Sequence, residues 1–148
     1  MNRERIRALV SRALRAAAGG VATLGEGVEL AEDALAKARE AVDRAGATGG
    51  DARVEAEYAG AEAKTARRAF AAWMGPTRSN VPTNPAYPLP LRTGVKDADA
   101  AKDAVLAACS AAGSYAVGHL ADASRLAHNA LRFATVASGG AVDWTVEE

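Results

Sequence analysis

Ten positions between Val105 and Ala137 constrain this chain most: Val105, Cys109, Ala112, Ala116, His119, Ala123, Leu126, Ala130, Phe133 and Ala137. The steps between them alternate between four and three residues, the rhythm of a helix face packed on other helices. Most of these residues are small, and the whole chain shares that bias. Of its 148 residues 39 are alanine, whereas Leu, Ile, Val and Phe together number 26. Thin helices of this kind pack closely, nearer about 8 Å than 10 Å between axes. Each alanine contact contributes less than a leucine contact would.

So low a share of large aliphatics is compatible with disorder only when net charge is high and periodicity is missing. Here 18 basic residues balance 18 acidic ones, and the periodicity is strong, so an ordered single domain is expected. The same balance argues against a dedicated nucleic-acid binder, which carries a basic excess. No apolar run approaches the roughly 18 residues that span a membrane. The first twenty residues are basic (Arg3, Arg5, Arg7, Arg12 and Arg15 against Glu4), but Ile6, Leu9, Val10, Ala13, Leu14 and Ala17 form an ordinary amphipathic face. They are expected to be the first helix of a cytoplasmic protein.

Breakers divide the rest. The expectation is an all-α bundle of about five helices, at about residues 2–18, 24–45, 51–74, 97–118 and 122–138. A long Pro-rich connecting loop would occupy 75–96 and a tail 139–148. Gly19-Gly20, Gly46, Gly75-Pro76 and Gly139-Gly140 mark the stops. Thr23 followed by Glu26 reads as a capping box opening the second helix. That helix then buries Val28, Ala31, Leu35, Ala38, Val42 and Ala45, and its leading carboxylates make it a natural neighbour for the basic first helix. The third helix is expected to face inward along Val54, Tyr58, Ala61, Thr65, Ala69 and Trp73.

The loop carries Pro76, Pro82, Pro85, Pro88 and Pro90, which exclude helix interior and sheet centre. It is either a strap across the bundle or a contact loop presenting Asn80, Asn84, Tyr87 and Arg92. One unbroken helix from 97 to 138 would extend about 60 Å, far beyond its neighbours, so a break is expected between Gly118 and Asp122. In the tail, Trp144 is the expected anchor on the bundle.

Few residues are placed for chemistry. Cys109 falls on the core stripe and reads as a small buried hydrophobe. The helix-two carboxylates lack the Glu-x-x-His step of di-metal bundles, so no metal or other cofactor is expected. His119 stands four residues after Tyr115 and three before Asp122, which marks these three as a buried polar candidate, a histidine base held by a carboxylate. His128 joins Arg125 and Arg132 in a row on the outer face of the last helix, either a solvated surface or a patch for an acidic partner. Gly-rich phosphate loops are absent, because each glycine pair ends a helix with no strand before it.

Residues 107–134, AACSAAGSYAVGHLADASRLAHNALRFA, resemble the alanine-rich immunity proteins of bacterial toxin systems, the immunity-protein-five-like group. The features that carry the likeness are Ala111-Ala112-Gly113, His119 and Ala130-Leu131-Arg132, together with residues 66–74, ARRAFAAWM. Trp73 stands where that middle helix carries a histidine in the group, and the Pro-rich loop is a further departure. The resemblance implies an all-helical protein that neutralises a cognate toxin by binding it, without catalysis or cofactor. The leading expectation is therefore a non-enzymatic protein-binding module, with contacts at Arg125, His128 and Arg132 or at Tyr87 and Arg92. A small-ligand or metal-binding enzyme centred on His119, and a subunit of a helical homo-oligomer, are the alternatives.

Overall fold

The computed structural model describes residues 2–46, 50–74 and 96–146. They form α1 (Arg3–Gly20), α2 (Val28–Ala45), α3 (Gly50–Met74), α4 (Lys96–Ala116) and α5 (Leu120–Ala137), with a 3-10 turn at Val21–Leu24. The all-α bundle expected from the sequence is the fold. Positions 75–95 of the expected Pro-rich loop, with Tyr87 and Arg92, lie outside the described residues.

The axis of the bundle is α4, which packs against each of the other four helices. Its sequence, KDADAAKDAVLAACSAAGSYA, puts alanine on every side, which lets neighbouring helices pack closely around most of it. Around it α3 touches α2, α2 touches α1 and α1 touches α5. Among the described residues α3 and α5 do not meet. The ring around α4 is therefore open along one side.

The break between α4 and α5 falls inside the expected interval. Gly118 adopts φ +86°, a left-handed conformation natural for glycine. The His119 N–H donates to the Ser114 carbonyl at 2.8 Å and the Gly118 N–H to that of Tyr115 at 3.1 Å, closing the end of α4. This turn resets the phase of the heptad line. Ala123, Ala130 and Ala137 stay buried, joined by Ala127, Leu131 and Ala134, whereas His119 and Phe133 face outward.

Two local expectations are corrected. Helix two opens at Val28, after Gly27 at φ +75°, with no side-chain cap. The Thr23 hydroxyl instead donates to the Gly20 carbonyl at 2.7 Å, because the chain turns through the 3-10 segment first. In α3 the expected inward line faces out from Val54 to Ala69, with Val54 67% and Tyr58 66% exposed, and Trp73 at its end packs on the core as expected. The buried positions are Ala56, Ala59, Gly60, Ala63 and Phe70. Small side chains win the inner face because α3 runs so close to α4. A Cβ built on Gly60 would lie 3.0 Å from that of Ala116.

The remaining anchors are polar or aromatic. Asn2 caps α1 by accepting from the Glu4 and Arg5 N–H groups. Its Arg3 and Arg7 side chains meet the C-terminal end of α2 rather than the leading carboxylates of that helix. Arg3 donates to the Ala45 carbonyl at 3.2 Å, a cation at the negative end of a helix dipole. The Trp73 ring occupies the space a Cβ on Gly27 would need, and its centroid lies 5.6 Å from that of Phe70. In the tail, half-buried Trp144 docks as expected. Arg12 donates to its carbonyl at 3.0 Å and 3.2 Å and also to the Val146 carbonyl, and Thr135 accepts from its N–H at 2.9 Å.

Candidate functional site

The proposed histidine centre is not assembled. Tyr115 is buried beneath the Arg3 guanidinium, which sits 4.8 Å from its ring centroid. His119 is exposed at the N-terminus of α5. Asp122 is exposed too and faces Arg125 at 3.5 Å. The expectation of a buried polar trio is therefore corrected: the chain break turns His119 away from the interior that Tyr115 occupies. Among the described residues no group of three His, Cys, Asp or Glu side chains is placed to hold a metal ion. No described helix is long and apolar enough to cross a membrane.

The outer row of α5 lies where its spacing placed it. Arg125, His128 and Arg132 are all exposed. Arg132 donates to the Asn129 side-chain oxygen at 2.8 Å, which fixes the direction of its guanidinium. The Arg125–Asp122 contact is long and solvated, so it holds Arg125 weakly. Phe133 is 38% exposed and Val136 36% exposed beside the row, which gives the basic face an apolar border.

A second feature was not legible as a site. The open side of the ring is a cleft of about 510 Å³ between α3 and the α4–α5 junction. Ser110, Gly113 and Ser114 of α4 form its floor, with Cys109 beneath. Lys64 and Arg67 stand on the α3 wall, while His119 and Leu126 stand on the other side. Burial pushes the Cys109 thiol up to about 12, against an opposing pull from the Arg67 charge. The thiol is therefore protonated and inert at neutral pH. The residues of this cleft come from three helices and share no spacing in the sequence. Only His119 was marked beforehand, and for different neighbours.

A third group, Asp99, Lys102 and Asp103, is buried inside the N-terminal half of α4 at 4%, 2% and 7% exposure. Each has interaction partners, and the Lys102 ammonium lies 4.5 Å from the Trp73 ring centroid, a cation–π contact in a desolvated setting. Three charges at i, i+3 and i+4 on one face of an otherwise alanine-rich helix were the available signal.

No protein-family model matches this chain, nor does any curated protein or solved structure.

Proposed function

We propose that this protein is a protein-binding module whose contact surface is the outer face of α5. The observation that carries this reading is the exposed row of Arg125, His128 and Arg132 with Phe133 and Val136 beside it. Arginine and aromatic side chains dominate the energetics of protein interfaces, and a basic row selects an acidic partner and speeds its encounter. The likeness of residues 107–134 to alanine-rich immunity proteins extends the proposal to one kind of partner, a bacterial toxin held inactive by binding.

The test is calorimetric titration with the purified product of the neighbouring toxin gene. Arg125→Glu combined with Arg132→Glu should weaken binding about 10- to 100-fold, and wild-type affinity should fall as salt is raised. Absence of binding to any neighbouring gene product sinks the immunity reading, and a salt-independent affinity unmoved by charge reversal sinks the α5 surface.

One observation favours a second reading, self-association through α3. Its outward line of Val54, Tyr58, Ala61, Thr65 and Ala69 is an exposed apolar stripe. Glu55 and Glu57 lie toward one end, Lys64 and Arg68 toward the other. Two copies packed antiparallel would therefore set acid against base about a two-fold axis. Sedimentation at several concentrations decides it, and a monomer at all of them removes it.

A further inference from the structure

The α3–α5 gap is a second feature, independent of the α5 outer face. It exposes part of an otherwise buried helix, because Ser110, Gly113 and Ser114 of α4 are only half covered. Two cations stand beside this floor, with an imidazole opposite. Arg67 is half-buried and Lys64 exposed on one wall, and the exposed His119 stands across from them. Neither Lys64 nor Arg67 has a carboxylate within ion-pair distance among the described residues. The acid that lines the same cleft, Glu57, already faces Arg53 at 3.6 Å. A half-desolvated guanidinium without a counter-ion gains most from a planar oxyanion, which it can grip with two parallel N–H donors. Away from the cations the lining includes Gly113 on the floor and Leu126 on the opposite side, neither of which carries charge. A volume of about 510 Å³ lies within the range of small-molecule sites.

We infer that the cleft between α3 and the α4–α5 junction binds a small organic anion, its carboxylate or phosphate held by Lys64 and Arg67 and its short apolar body laid on Gly113 and Leu126. His119 and the Ser114 hydroxyl line the same cleft and add polar groups beside the anion. Carboxylate and phosphate monoester share the recognition chemistry, and the experiment separates them.

The test is a titration of the full-length protein, followed by amide chemical shifts, with hexanoate, hexyl phosphate, hexanol and inorganic phosphate. Hexanoate or hexyl phosphate should shift the amides of Gly60, Gly113 and Ser114 saturably, and the tighter of the two identifies the headgroup. Hexanol and inorganic phosphate should each bind at least about tenfold more weakly. Lys64→Gln combined with Arg67→Gln should weaken the preferred anion at least about tenfold, and Arg67→Lys alone should weaken it less. Both wild-type positions are at least partly solvated, and the dispersion of the variant's own spectrum verifies its fold. Equal binding of hexanol, equal binding of inorganic phosphate, shifts confined to α5's outer row, or an unaffected double variant would each overturn the inference. None of these outcomes bears on the protein-binding role of α5, whose residues are different.

Discussion

At Gly60 the missing side chain decides how near α3 can come to α4. A Cβ there would meet Ala116 at 3.0 Å, and a branched side chain would force the two helices apart. Gly60→Val is expected to cost about 1–3 kcal/mol, read as a lower midpoint in urea unfolding. Gly19 is the control. It is exposed, and a Cβ on it would touch nothing within 4 Å. Gly19→Ala is expected to stabilise by about 0.5–1 kcal/mol through helix propensity alone. Cys109 gives a pH-dependent counterpart. Its folded-state pKa is raised from 9.0 to about 12, so between those values the unfolded chain loses a proton that the folded chain keeps. Stability from this residue is complete below about pH 9 and declines as pH rises toward 12, by up to about 1.4 kcal/mol per pH unit. Cys109→Ala should show a shallower alkaline loss than wild type when unfolding free energies are compared from pH 8 to 11. An identical slope in the two proteins would contradict the assignment.

Among the elements, the α4–α5 junction is the most specified. Gly118 at φ +86° allows the turn that ends one helix and starts the next. Gly118→Ala should cost about 1–2 kcal/mol from the left-handed penalty alone. A differential-scanning profile unchanged by the substitution would mean that the turn has another route. This junction also shows what the sequence could and could not disclose. The break was legible because an unbroken helix would overrun its neighbours, and the inner faces of α1 and α2 followed from periodicity. The α3 face was misread, because Val54, Tyr58 and Thr65 are larger and look more like core than Ala56, Ala59 and Gly60 do. In an alanine-rich bundle close approach outweighs side-chain size, and only the neighbouring helix reveals which face is crowded. The cleft was hidden for a related reason. Lys64, Arg67, Ser110 and Ser114 become neighbours only because α3 and α5 fail to touch, and no local pattern records a missing contact. The α5 row was legible because it lies on one helix at three-four spacing.

For the molecule as a whole, the arrangement about α4 has a consequence for the order in which the chain is made. During synthesis α1, α2 and α3 emerge before the helix they are built around. Among the described residues α1 and α3 do not pack on each other, so these first helices have a partial seam and an empty seat. The nascent chain therefore carries exposed alanine faces until residues 96–116 follow, and the interior is completed late and at once. A fragment of residues 1–74 should accordingly lack fixed tertiary packing. Its near-ultraviolet circular dichroism should be flat although Phe70 and Trp73 are present, and signals from those rings should appear only when residues 96–148 are supplied. A native-like spectrum from the fragment alone would show that the outer helices can settle without their axis. In the cell, the same geometry gives a quality check at the level of the message: a product truncated before α4 has no core to hide in and is left to proteases and chaperones.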